Sequence, residues 1–499
     1  MKVALIHHET RNVASQATDS VVESHTGTVP SVALLYVAAV LEKLDVELLY
    51  IDTQAMKLSW DEAGERMKQF GPDVIGLTAY TTHFHDSRRF CRFAKTIVPD
   101  AKIMIGGIHA QIFPIDSLKH ASEIDFAVTG EAEMVLPQFV ERFRANQSYE
   151  GVLGLVWRND GEVVYNGPAP LNRDLNEVPF PARHLVPNEK YFNLISRRSN
   201  YTAFNSSRGC PFACTFCEGA QTKWRWRTAE NIADEFEECY EKYGIREIDI
   251  YDSSFTIRKD RVHDICNELI RRGLHKKVIW AARSRVDCID RDLLKAMKAA
   301  GCYRIFYGIE SGVPEILEAL RKKANVEQIE EIVTMTKEEG ISPFGYFLLG
   351  SPHETLETCR QTMDFTKKLP FDFISFNALT PMPQTQIYRD HYIPNVDHDY
   401  WDDYIKSPDV PEGHVGRPWL KDLDDATIKK LCLQAMMEFY FRPSQIIRVL
   451  KVVGKDFRWE HFMRYSRVAV AMIISALAKM RQSSPQPKGS QDIHFGMAE

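Results

Sequence analysis

Two long stretches of the chain alternate short, near-continuous apolar runs with longer segments whose apolar positions recur every three or four residues. In the first stretch, residues 1–146, the runs lie at 2–7, 46–51, 73–78, 102–106 and 125–128, and helix-period segments at 31–44, 60–70, 84–98 and 134–144 separate them. A strand that is apolar at successive positions is buried on both faces, which predicts a parallel sheet covered by helices. The runs end in small or polar residues, as at Thr78-Ala79-Tyr80-Thr81, Gly106-Gly107-Ile108-His109 and Thr129-Gly130-Glu131. In a doubly wound sheet those C-terminal ends border the ligand crevice.

The pattern changes over residues 147–200. Period-two alternation around Asn159-Asp160-Gly161 predicts a β-hairpin, and Pro168, Pro170, Pro179, Pro181 and Pro187 follow in what reads as a linker. A second βα series occupies 201–389. Its strand candidates are 202–206, 247–251, 278–282, 304–309, 345–349 and 373–379, with helices at 229–243, 260–272, 290–300, 326–339 and 356–368. Six βα units are too few for the eight-stranded barrel and predict a partial one, with its active face at the C-terminal ends of the strands. Residues 390–482 read as a Trp- and Tyr-rich helical region, and the polar stretch 483–499 as a disordered tail. The expected fold class is α/β: a Rossmann-like doubly wound domain, a partial (βα)6 barrel and a helical C-terminal region.

Composition narrows the function. Apolar residues are 44% and charged residues 26% of the chain, which excludes a disordered or collagen-like protein. The 68 acidic residues against 62 basic ones give a net charge of −6, so no nucleic-acid partner is expected. Lys223-Trp224-Arg225-Trp226-Arg227 has the residue types of a base-stacking strip, but is expected to pack over the neighbouring loop. No signal-peptide pattern and no run near the ~20 apolar residues of a membrane span is present, so a cytoplasmic protein is expected. The apolar run inside 467–479 has basic flanks and reads as a buried helix, with a membrane-surface or hydrophobic-substrate role as the other reading.

Of ten cysteines, seven are scattered and three crowd into Ser207-Arg208-Gly209-Cys210-Pro211-Phe212-Ala213-Cys214-Thr215-Phe216-Cys217. Three thiolates at C-x3-C-x2-C in a loop leaving a strand suit zinc or an iron–sulfur cluster. A structural zinc site needs a fourth ligand at comparable spacing, and the next candidates are Cys239, inside a predicted helix, and His263. The missing ligand favours a cluster with one iron open to a substrate. A zinc-stabilised binding module without catalysis is the alternative.

This loop resembles the signature of the radical S-adenosylmethionine (SAM) enzymes. Tyr251-Asp252-Ser253-Ser254-Phe255-Thr256, Gly308-Ile309-Glu310-Ser311-Gly312 and Leu349-Gly350-Ser351-Pro352-His353-Glu354-Thr355 resemble that family's second-, fourth- and fifth-strand motifs, with His353 where glycine is usual. The resemblance implies that Cys210, Cys214 and Cys217 hold a [4Fe–4S] cluster. It places SAM against Phe216, the backbone of Tyr251, Asp252 and Ser253, and Arg283, Ser284, Glu310, Ser311 and Gly350. One-electron reduction would cleave SAM to a 5′-deoxyadenosyl radical, with a flavodoxin or ferredoxin as the external reductant.

The first stretch carries a second resemblance, to the cobalamin-binding domain of the cobalamin-dependent radical SAM class. Pro30-Ser31-Val32-Ala33-Leu34-Leu35-Tyr36, Gly107-Ile108-His109-Ala110 and Thr129-Gly130-Glu131-Ala132-Glu133 carry it. It implies cobalamin contacts at Thr78, Tyr80, Thr81, Gly106, Gly107, His109, Gly130 and Glu131. The cobalt-ligating D-x-H-x-x-G motif is absent. Asp492-Ile493-His494-Phe495-Gly496 has the wrong spacing, and His83, His85 and His109 read as polar loop residues. The expected reaction is methylation of an unactivated carbon of a small molecule. Closure of a porphyrin ring, as in the anaerobic Mg-protoporphyrin ester cyclases, is the alternative.

Overall fold

The computed structural model describes residues 1–9, 27–198, 200–411 and 415–454. The expected tail 483–499, the apolar run at 467–479 and Asp492–Gly496 lie outside these residues. Strands β1 (Lys2–His7), β2 (Glu47–Asp52), β3 (Val74–Thr78), β4 (Lys102–Gly106) and β5 (Phe126–Val128) pair in parallel, in the order β2-β1-β3-β4-β5. Successive side chains of β1 leave on opposite faces, so Val3 and Leu5 pack under helices Val32–Glu42 and Ala132–Arg144. Ala4 and Ile6 pack under Trp60–Phe70 and Phe84–Ile97. The order reverses beside β1, which places a crevice at the strand ends there.

The hairpin expected at the start of the linker instead belongs to this sheet. Strands β6 (Leu155–Asn159) and β7 (Glu162–Tyr165) extend it antiparallel, with Val156 opposite Ala127 and both fully buried. The Pro-rich segment that follows is packed between the two halves. The Ala182 N–H donates to the Leu35 carbonyl at 3.0 Å, and Arg183 pairs with Glu235 at 2.6 Å, both side chains fully buried. Truncating one partner of such a pair strands a buried charge at a cost of about 3–5 kcal/mol. The segment therefore bolts helix Val32–Glu42 to helix Ala229–Tyr243.

Strands β8 (Tyr201–Phe204), β9 (Glu247–Ile250), β10 (Ile279–Ser284), β11 (Cys302–Glu310), β12 (Ser342–Leu349) and β13 (Phe373–Ala378) form a second, all-parallel sheet in chain order. Its ends do not pair, so it is an open partial barrel, as expected. Helices cover its outer face, and four of them begin at a capping residue: Thr228, Asp290, Asn325 and Thr355 accept N-cap bonds from residues three further on.

The C-terminal region has two destinations. Trp401, Tyr404 and Val415 are buried in the core of the first sheet, and His85 Nε2–H donates to the Tyr404 carbonyl at 2.6 Å. Helix Asp425–Tyr440 instead covers the barrel, burying Leu431, Cys432 and Phe439 in its core. The Tyr440 hydroxyl accepts from the Ile374 N–H at 2.9 Å and donates to its carbonyl at 2.8 Å, satisfying the open edge of β13. No helix among the described residues is long and apolar enough to cross a membrane.

Candidate functional site

The cysteine loop leaves β8 and folds back on itself. The Cys210 N–H donates to Thr222 Oγ1 at 2.9 Å, the Thr222 N–H to the Cys210 carbonyl at 2.9 Å, and the Gln221 N–H to the Phe212 carbonyl at 2.9 Å. Gly209 permits this closure. Its φ is +86°, and a Cβ there would lie 2.2 Å from the Lys223 carbonyl oxygen. Lys223–Arg227 does pack over the loop: Ser207 and Arg208 pair antiparallel with Trp226 and Arg225, and the Trp224 and Trp226 rings stack at 4.5 Å. Burial pushes the Cys210 and Cys217 thiols up, and the Cys214 charge adds to that shift in both. All ten cysteines are free. Among the described residues, no three His, Cys, Asp or Glu side chains converge on the spacing of a single metal ion.

The residues expected to meet SAM sit at successive barrel-strand ends, but several are engaged with the protein. Asp252 is fully buried, and its carboxylate accepts from the backbone N–H groups of Ser206 and Ser207 at 2.7 and 2.9 Å and from both hydroxyls at 2.6 Å. That carboxylate anchors the entry to the cysteine loop and is not free to meet a ligand. Ser311 is likewise spent, with its hydroxyl 3.0 Å from Thr362 Oγ1 and accepting from the Val313 N–H at 3.1 Å. The Ser284 hydroxyl bonds Thr256 and the Arg285 carbonyl. Phe216 packs against the Val313–Ile316 apolar cluster.

Tyr251, Ser253, Arg283, Glu310 and Gly350 lie at or just beyond the ends of β9, β10, β11 and β12. Arg283 donates to Asp249 at 2.8 Å and stacks 3.9 Å over the Tyr251 ring, leaving its guanidinium partly exposed. Glu310 pairs with Lys322 at 3.0 Å. The Gly350 N–H donates to Glu354, and its carbonyl accepts from Trp419 Nε1 at 3.1 Å.

A cavity of about 330 Å3 runs from the strand ends of the first sheet down between its face and helices Val32–Glu42 and Ala132–Arg144. Of the residues that the resemblance assigns to cobalamin, Thr78, Gly106, Gly107, Gly130 and Glu131 line it. Tyr80, Thr81 and His109 do not. His109 is fully buried with its ring stacked 3.7 Å from that of Phe84, neither ring nitrogen has a partner, and burial pushes its pKa down to about 3. It is core, not a residue aimed at the crevice. Thr81 is buried as well, and Tyr80 is exposed beyond the rim.

Two lining residues come from the other half of the molecule: Asn205, whose Nδ2 donates to the Tyr251 carbonyl at 2.8 Å, and Arg208, two residues before Cys210. Glu131 joins the halves, accepting from Arg225 at 2.9 and 2.7 Å and lying 3.2 Å from Arg208, which also pairs with Glu133. Sequence reasoning missed Asn205, which no local pattern marks, and the partner of Glu131, which lies on another domain.

Comparison with known proteins agrees with this geometry. The radical SAM superfamily profile matches residues 204–366 and the B12 binding domain profile matches 19–140. An uncharacterised methyltransferase of Pyrococcus horikoshii is 32% identical over 440 residues, covering 86% of this chain and 92% of that one. The chain belongs to the B12-binding-domain radical SAM enzymes. This membership sets aside the zinc-module alternative, and the cofactor set of the family is a [4Fe–4S] cluster, SAM and cobalamin. An anaerobic magnesium-protoporphyrin IX monomethyl ester cyclase of Cereibacter sphaeroides is 29% identical over 485 residues, covering 94% of this chain and 77% of the cyclase. Among solved structures, the radical SAM methyltransferase TsrM from Kitasatospora setae has the same fold, with a TM-score of 0.69, 18% identity and coverage of 94% of this chain and 99% of that one.

Proposed function

We propose that this enzyme is a cobalamin-dependent methyltransferase that transfers a methyl group to an unactivated carbon of a small molecule. The observation that carries the reading is Arg208, which leads into the cysteine loop and also lines the cavity of the first sheet. The cluster loop and the cobalamin-type domain therefore share one crevice.

The residues fit the groups. Three soft thiols on one closed loop suit three corners of a cluster. Gly106, Gly107 and Gly130 leave the rim free of side chains, and a Cβ on Gly107 would come 2.8 Å from the Ala79 carbonyl oxygen. That bare rim would meet a broad planar cofactor, and the apolar cavity below it would hold an appended group. SAM would lie across Tyr251, Ser253, Arg283, Glu310 and Gly350. When bound, these groups supply one-electron cleavage of SAM and a transferable methyl.

The protein's own part is positioning. Asp252 holds Ser206 and Ser207, Arg225 and Arg208 lock the loop to Glu131, and residues 392–405 cover the first domain. An external one-electron carrier such as a flavodoxin or ferredoxin would deliver the electron, and ten free thiols suit a reducing cytoplasm.

Purified and reconstituted without oxygen, the protein is expected to be brown and to release 5′-deoxyadenosine from SAM on reduction. S-adenosylhomocysteine formed alongside supports methyl transfer. Deoxyadenosine without it would favour a cyclase, the second reading that the near full-length similarity to the cyclase keeps open. A colourless protein carrying stoichiometric zinc would overturn both. Comparing the metabolites of a deletion strain with its parent by mass spectrometry would name the substrate.

A further inference from the structure

Arg285 follows the last residue of β10 and is buried against the cysteine loop. Its Nη1 lies 3.3 Å from Cys214 Sγ, while Nε and Nη2 each donate to the Asp287 carboxylate at 2.8 Å. The Phe212 ring, between the first two cysteines of the loop, lies 4.0 Å from the guanidinium carbon. Clamped by the carboxylate through Nε and Nη2 and flanked by the ring, the guanidinium directs its remaining nitrogen, Nη1, at a sulfur. No other part of the proposed reaction uses it.

We infer that Arg285 tunes the reduction potential of the cluster by donating an N–H···S hydrogen bond to the Cys214 thiolate. The inference rests on the reading of the three cysteines as cluster ligands. Reduction adds one negative charge to a cluster and its sulfurs, so a donor held against a ligating sulfur stabilises the reduced form and raises the potential. The Asp287 carboxylate offsets the guanidinium charge while fixing its direction. The nearby Lys322 is offset in the same way by Glu310 at 3.0 Å. With both cations paired to carboxylates, the oriented N–H dipole acts on the Cys214 sulfur as the Phe212 and Gly219 backbone N–H groups act on those of Cys210 and Cys217. Arg285 is thus a positioning residue for the cluster ligand, and its partner carboxylate sets the opposing sign.

The two members of the clamp should act in opposite directions. In full-length protein reconstituted anaerobically, R285M should load iron and sulfide as wild type does, with a more negative midpoint in an EPR-monitored redox titration. D287N should shift the midpoint positive, and R285K should return it towards wild type. At a fixed potential within the transition, a tenfold fall in the ratio of reduced to oxidised cluster in R285M corresponds to about 59 mV for one electron. A purely structural arginine would leave the midpoints of loaded variants where wild type has them, and that result overturns the inference. Should R285M fail to load, D287N decides alone: no positive shift overturns it. If the wild-type protein itself takes up no cluster, the ligand reading fails and the inference falls with it.

Discussion

Asp252 serves a cofactor loop without facing anything bound. Its carboxylate is the shared acceptor for two backbone N–H groups and two hydroxyls at the entry to the cysteine loop. Asp252→Ala leaves those buried donors unmade, and each such loss costs about 1–3 kcal/mol. A drop of about 3 kcal/mol in unfolding free energy is expected in denaturant titration, together with weaker iron retention after reconstitution. Asp252→Asn, which keeps two acceptor sites, should lose about half as much, and equal losses in the two variants would contradict this role. The contrast with the cysteines shows what is legible at this scale. Cys210, Cys214 and Cys217 are readable because rare ligands sit in one short segment. Asp252 reaches partners 45 and 46 positions earlier, and Arg285 reaches Cys214 across 71, distances over which a linear pattern carries no direction.

At the scale of elements, the strands were readable because burial on both faces leaves apolar residues at successive positions. What an element packs against was not. Period two marked the hairpin of β6 and β7, but not its addition to the first sheet. Apolar periodicity marked helix Asp425–Tyr440, but not the barrel edge that it covers. The turn after β12 makes an element-level prediction. The Glu354 carboxylate accepts from the Gly350 N–H and, at 2.8 Å, from the Ser351 N–H. Burial outweighs those two donors and pushes its pKa up to about 7. The folded state therefore holds a proton that the unfolded chain releases near pH 4.5, so the contribution is full below that value and is lost as pH rises through 7. Burial raises Glu247 to about 7 as well, with the same sign. Unfolding free energy should fall between pH 5 and pH 8 on this account, by up to about 3 kcal/mol for each group. Glu354→Gln should remove about half of that slope and stabilise the protein at pH 8. An unchanged slope would show that Glu354 does not hold the proton.

Across the described residues, several contacts bridge the two sheets, among them Arg183 with Glu235, residues 392–405 over the first sheet, and Glu131 with the arginines flanking the cysteine loop. Glu131 is the member nearest the proposed chemistry. Desolvation alone would raise its pKa, but the Arg225 hydrogen bonds and the Arg208 charge outweigh it and hold the carboxyl below the usual range. Its contribution is therefore present above the unfolded value and is lost as pH falls through the folded one. Glu131→Ala leaves Arg225 and the Asn172 N–H without their carboxylate, while Arg208 keeps Glu133. The loss is expected to be about 2–4 kcal/mol, near the cost of breaking a largely buried pair. Its distribution matters more than its size. Hydrogen exchange should quicken in the loop at 207–227 and in the linker around residue 172, while β10–β12 keep their protection. Iron content should stay at the wild-type level, because the three cysteines and Asp252 are untouched, while cobalamin affinity falls about tenfold, as losing 1.4 kcal/mol of preorganisation would produce. Exchange that quickened evenly over both sheets, or cobalamin affinity that held while iron was lost, would show that Glu131 stabilises the fold without setting the crevice.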